Sequence, residues 1–408
     1  MSKLIRKTIL LVLCATLVAC SDASSEKAAQ TDKPMVEVVE VNIEFPYAAD
    51  FVINYKDGYL IKYQKESILN TYLCFLDPNF KLVWEHAINT FGNTVTMLGD
   101  RGFLIITGST YNDNGYARLD ENGSVLWRIG KIPKFELVTA FLDSSGGVYL
   151  VGVDISGYKK TVMIYVNPRG KIEQKEPFAE SRKTIPISGW QDSDNTYWIS
   201  GSNGRGDYRS LSHWDEDLTY KGTFSAKYQQ YFRVGYFPEA DRVIISGQAY
   251  RFTFQDPWVE YGFLYSVNYD LKQKKYLEFD GALPRSIIRL EDGRWLVSIR
   301  DNDNLLKDVV KLYSPNWRLI KTIDIDFGYS YLYALDDGGF AITGRLLSPG
   351  YEYGDLFVSS FSPSMDLVYA RYDADCNLLC GKTYPAEVSK SGKGFCYFVD
   401  RAGVLYYL

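Results

Sequence analysis

Histidine is almost missing from this chain of 408 residues: only His86 and His213 occur, far apart and without ligand spacing around either. That sets histidine-based metal sites and acid–base triads aside, and both are read as polar residues near strand ends. Methionine is scarce, at five, and no Ala-rich tract follows the N-terminus, which argues against a long helical core. No basic run occurs and the formal net charge is −5, so phosphate backbones are repelled and nucleic acid is excluded as a partner. The longest apolar run, Thr8 to Ala19, falls short of the roughly 20 residues that a spanning helix needs. Six cysteines in so long a chain are no disulfide framework. No G-x-S-x-G elbow is present, and Gly201-Ser-Asn-Gly-Arg-Gly206 does not fit the dinucleotide-binding pattern.

The N-terminus has positive features. Lys3, Arg6 and Lys7 precede the apolar run, and small residues lead to Cys20, the order of an export signal. Leu17-Val18-Ala19-Cys20 looks like a bacterial lipobox, which implies cleavage after residue 19 and acylation of Cys20. Ser21 follows the cysteine, so by the enteric sorting rule the segment resembles an outer-membrane signal. Whether the folded part faces the periplasm or the outside is left open. The processed chain would keep 42 basic and 50 acidic side chains, a net charge of −8. Ser21 to Pro34 has no large apolar side chain, so 20–34 are expected to form a flexible lipidated tether and 35–408 one domain.

Aromatic residues make up 15% of the chain, including 33 Tyr, which favours half-buried strands. Val39–Phe45 alternates at period two and opens the folded part as a strand. Two motifs then alternate. The first is a strand, a tight polar turn and a second strand, as in DRGFLIITG; its turns align at Gly58, Gly102, Gly146, Asn195, Asp241, Gly293, Gly338 and Ala402. The second is a hairpin around a D-x-x-G turn, as in YARLDENGSVLW, with Gly123 in the turn and Trp127 four residues on. Trp84 occupies the same position one repeat earlier, and Gln174, Gly222, Leu277, Lys321 and Cys380 replace it later.

Eight copies of the first and seven of the second, at a spacing near 45 residues, predict an all-β chain of four-stranded antiparallel modules: a β-propeller. Eight blades is the expected count, with seven the alternative. The last inner hairpin lacks outer strands and the first strand lacks inner ones, so the termini are expected to share a blade and close the ring. DGGFAITG followed by D-x-x-G-x-x-x-W resembles the PQQ-like, quinoprotein-dehydrogenase-like propeller repeats over about nine-tenths of the processed chain. A propeller lipoprotein is further similar to BamB-type outer-membrane scaffolds. The resemblance implies that Trp84 and Trp127 dock against the adjacent blade.

Cys376 and Cys380, on one extended strand, would stand roughly 13 Å apart and could not pair. Cys380–Cys396 remains open, with free thiols favoured. Acidic loops at Asp192–Asn195, Asn112–Gly115 and Asp301–Asn304 leave calcium open; no other cofactor and no metal site is expected. The repeat breaks in two long aromatic connections. One carries Tyr250, Phe252, Phe254, Trp258 and Tyr261; the other carries Tyr351, Tyr353, Phe357 and Phe361. These are the candidate binding residues, whereas Gly58, Gly102, Gly123, Trp84, Trp127 and Gly338 are assigned to the repeat's structure. The expectation is a lipid-anchored, non-enzymatic scaffold for a protein or peptide partner, held to the membrane through Cys20. A carbohydrate-binding or carbohydrate-active propeller is the alternative, and a quinone-dependent enzyme the third.

Overall fold

The second motif dictates the local geometry. In all seven copies the first turn residue (Asp77, Asp120, Asn167, Asp215, Asn268, Ser314 or Asp373) accepts, through its side-chain oxygen, the N–H of the residue four positions on. The fourth turn residue is left-handed in each, with φ between 60° and 81°. This is a type I turn closed by a bulge, which the short polar side chain at its head pre-sets.

The computed structural model describes residues 38–407 apart from 39, 43–46, 66–70, 89–94, 99–100, 108–114, 156–159, 178–184, 192–195, 203–207, 228, 238–241, 252–258, 281–282, 301–306, 348–364 and 385–396. The described strands form seven four-stranded antiparallel sheets, each a simple meander, spanning 48–88, 95–129, 135–177, 185–227, 229–280, 284–324 and 328–384. We number them one to seven. An eighth, terminal sheet contains Tyr397–Val399, Leu405–Tyr407 and Glu40–Asn42, the last running parallel to Leu405–Tyr407. Among the described residues there is no helix. The described part of the opening strand, Glu40–Asn42, joins its sheet in parallel, a departure from purely antiparallel modules.

The core lies between sheets, because each meander is apolar on both faces. One cluster joins sheets one and two around Phe103 and Leu60; another joins sheets two and three around Leu142 and Tyr116. The series continues to sheet seven and the terminal sheet, where Tyr369 meets Leu405. Tyr406 of the terminal sheet in turn lies 5.5 Å from Tyr59 of sheet one. Meanders stacked in sequence through shared seams are the arrangement of a β-propeller.

The seams explain the decay of the second motif. Trp84 lies against Gly123 of the next sheet, so closely that a Cβ there would meet the indole at 2.4 Å; Trp127 lies against Gly170 in the same way. His86 Nε2 donates to the Gly123 carbonyl at 2.6 Å. Where the preceding sheet lacks the tryptophan, the left-handed turn residue itself supplies bulk: Leu271 reaches Gly222, and Trp317, stacked on Trp295 of its own sheet at 4.8 Å, belongs to the core shared by sheets five and six. Ladder register puts Lys275, not Leu277, at the position equivalent to Trp84. Lys321 donates to the Asp375 and Cys376 carbonyls across its seam.

Three details of the sequence alignment shift. Gly58 has no left-handed backbone; Lys56 does, and Gly58 is required because a Cβ would meet the Leu76 carbonyl at 2.2 Å. The left-handed residue of the last inner turn is Gly403, one past Ala402. Cys376 sits in an outer turn while Cys380 is on the strand Leu378–Tyr384; with Cys74 they carry free thiols, and Cys396 lies outside the described residues.

Candidate binding site on the strand-start edge

A meander has two unlike edges. One carries the hairpin turns just described. At the other, strands one and three begin and strands two and four end, so every connection between sheets lies there.

On that edge, sheets six and seven meet around a carboxylate. Asp308 opens strand three of sheet six and is fully buried. One carboxylate oxygen accepts from Arg285 Nε at 3.1 Å; the other accepts from the Ser330 N–H at 2.7 Å and its hydroxyl at 2.6 Å. Ser298 and Ser330 join their hydroxyls in a further hydrogen bond. The Ser330 N–H is available because strand one of sheet seven is bulged between Gly328 and Tyr331. A buried carboxylate is sustained only with such saturation of its oxygens, and removing a partner strands a charge.

The bulge has a second consequence. Tyr329 is forced left-handed, at φ 55°, and its ring stands 39% exposed with the Arg285 guanidinium 4.3 Å from the centroid. Strained, exposed aromatic residues held by buried supports are concentrated at binding sites. Tyr331, 49% exposed, lies two residues along, and Lys307 pairs with Asp326 at 2.6 Å beside them.

Sheet one presents a different group on the same edge. Lys65 Nζ bonds both oxygens of Glu85 at 2.8 and 3.0 Å, and stands 4.5 Å from the Tyr72 centroid and 5.5 Å from that of exposed Tyr47. Tyr63 donates a further hydrogen bond to Glu85 and stacks on Tyr47. Burial pushes the Glu85 carboxyl above its ordinary range, with His86 opposing.

The sequence candidates fall differently. Tyr250 and Tyr261 belong to paired strands, opposite Glu260 and Ala249, and Tyr261 packs against the core shared by sheets four and five. The connection between those strands is therefore shorter than expected. Phe252, Phe254, Trp258, Tyr351, Tyr353, Phe357 and Phe361 lie outside the described residues, as do the acidic loops except Gly115, which opens a strand. Among the described residues no group of three or more metal-type side chains gathers. His213 stacks on Trp198 at 3.8 Å and bonds Tyr269 and Thr196, a packing role.

Arg285, Asp308 and Tyr329 escaped the sequence reading. Six residues ahead of each outer turn the repeats carry Thr71, Asn114, Thr161, Arg209, Gly262, Asp308 and Leu367, and a carboxylate stands in one alone. That column was the available sign.

No family model matches the chain, and neither does any curated protein. Solved structures resemble it at low identity. The Dos1 propeller matches at 10% identity over 72% of this chain and 75% of its own, with a TM-score of 0.49. Prolyl oligopeptidase B of Galerina marginata matches at 12%, over 88% of this chain and 55% of the oligopeptidase, with a TM-score of 0.44. A quinonprotein alcohol dehydrogenase-like protein of Bacteroides thetaiotaomicron matches at 12%, over 68% and 65%, with a TM-score of 0.42. This chain thus spans about half of the oligopeptidase. At these scores the fold assignment stands on the sheet order and seams, and no activity transfers.

Proposed function

We propose that this chain is a binding scaffold, an eight-bladed propeller of the PQQ-like kind whose ring closes through the terminal sheet. It is anchored by an acylated Cys20 at the bacterial outer membrane and recognises a protein or peptide partner on its strand-start edge. The observation that carries the recognition is the Arg285–Tyr329 pair over buried Asp308. Arg and Tyr are the residue types that dominate interface hot spots, and a guanidinium already fixed by a carboxylate loses little freedom on binding. Closure is supported by the Tyr59–Tyr406 contact, which gives sheet one the seam it would otherwise lack.

Crosslinking in intact cells, with recovery through the full-length chain, tests this. Tyr329→Ala should fold normally and lose most of the partner recovered by the parent; unchanged recovery would remove the assignment. The exposed Tyr47 ring beside Lys65 and Glu85 favours a second reading, a carbohydrate stacked at sheet one. Binding on a glycan array that Tyr47→Ala abolishes would select it.

A further inference from the structure

The turn edge carries an apolar arc. Just after each outer turn, the ladder slips by one residue, so two residues of strand four face one of strand three and are turned outward. In sheets one, two, six and seven that pair is aliphatic: Leu82–Val83, Val125–Leu126, Leu319–Ile320 and Leu378–Leu379. All but Leu379 are 38–57% exposed. In sheets three, four and five the second residue is Glu173, Lys221 or Lys274. The apolar pairs are therefore not a demand of the bulge, which forms equally well without them.

Their placement is ordered. The seams run from sheet six to seven, to the terminal sheet, to one and to two, so the aliphatic pairs occupy two sheets on either side of the terminal sheet. That sheet contains Glu40–Asn42, the strand through which the chain arrives. Leu405–Tyr407 leaves the Asp400–Val404 turn, and Glu40 pairs with Leu405, so the chain enters the sheet at the turn edge. The described strand Glu40–Asn42 thus begins in the middle of the arc and on the same edge. Exposed Lys81, Arg128 and Arg318 flank the pairs, with stems long enough to hold their charges at a headgroup level, and the turn-head acids Asp77, Asp120 and Asp373 stand beside them.

We propose that this arc is a membrane-contacting rim: a lipid surface covers the four aliphatic pairs, and the strand-start edge with Arg285 and Tyr329 faces away from it. The proposal rests on the reading of Cys20 as acylated, since the anchor brings the rim to the bilayer. An aliphatic surface flanked by charged side chains suits the headgroup–acyl boundary of a phospholipid bilayer.

The test uses the full-length chain as isolated from cells, labelled with a polarity-sensitive fluorophore at Val83→Cys, Ile320→Cys or, off the arc, Gln273→Cys. The parent chain's own labelling is subtracted. On vesicles of phosphatidylethanolamine and phosphatidylglycerol with brominated acyl chains, probes at 83 and 320 should be quenched about threefold or more over the probe at 273, as expected for side chains entering the headgroup–acyl boundary. Equal quenching at the three positions overturns the rim, as does shielding of 83 and 320 that is the same without vesicles, which would mark a contact between copies. The mass of Cys20 is read on the same sample. A missing acyl group removes the anchor, while unequal quenching in that sample would still uphold the rim.

Discussion

At the turn edge, seven outer hairpins repeat one hydrogen-bonding scheme and one left-handed position; at the strand-start edge, the described sheets present unlike groups, a carboxylate-backed Arg–Tyr pair at sheets six and seven and a lysine among tyrosines at sheet one. The first edge is constrained by the seams, because each turn is also the socket for its neighbour. The second joins sheets six and seven through Asp308 and Ser330, but among the described residues no such scheme recurs from sheet to sheet, and its side chains differ. Repetition therefore marks what holds the sheets together, and departure from it marks where recognition is concentrated.

The comparison breaks most readily at Gly123. A Val there would add a Cβ 2.4 Å from the Trp84 ring at a left-handed φ of 81°, and should cost about 2–5 kcal/mol, read as a lowered melting temperature. A small effect would mean that the socket is not tight. Trp317 tests the opposite solution, bulk on the turn residue. Trp317→Ala should cost about 3 kcal/mol, and Trp317→Gly about 1 kcal/mol less than that, because glycine relieves the left-handed backbone. Equal losses would show that the strain carries no energy.

The smallest effect concerns Asp143, in an inner turn on the same edge. Burial alone would raise its carboxyl, but hydrogen bonds from Tyr165, Ser145 and the Gly147 N–H hold it below the ordinary 3.8. A depressed folded-state pKa stabilises above the unfolded value and is lost as pH falls through the folded one. Acid melts should therefore show Asp143→Asn losing less stability than the parent below pH 3.8, by under about 1 kcal/mol given partial exposure.

Much of the fold was legible. Asp and Gly at turns, an alternating pattern and a 45-residue spacing give the sheets, and the indoles of Trp84 and Trp127 do meet the next sheet. What misled was the apparent decay of the motif. Phe80, Leu218, Leu271, Trp317 and Cys376 in place of glycine look like drift within a repeat, yet Leu271 answers Gly222 and the Cys376 turn receives Lys321, each from the preceding sheet, which a single repeat does not reveal. The site was less legible for the same reason. Asp308 gathers Arg285 from its own sheet and Ser330 from the next, and Tyr329 is turned outward by a bulge that no turn residue announces. The long aromatic connections are conspicuous in the sequence, but Tyr250 and Tyr261 continue strands.

The division of labour between the edges is tested most directly by measuring melting temperature and partner recovery together in two variants, Gly123→Val and Tyr329→Ala. Gly123→Val should melt several degrees lower yet recover partner normally below its transition, whereas Tyr329→Ala should melt like the parent and lose recovery. Loss of recovery in folded Gly123→Val, or full recovery by Tyr329→Ala, would contradict it.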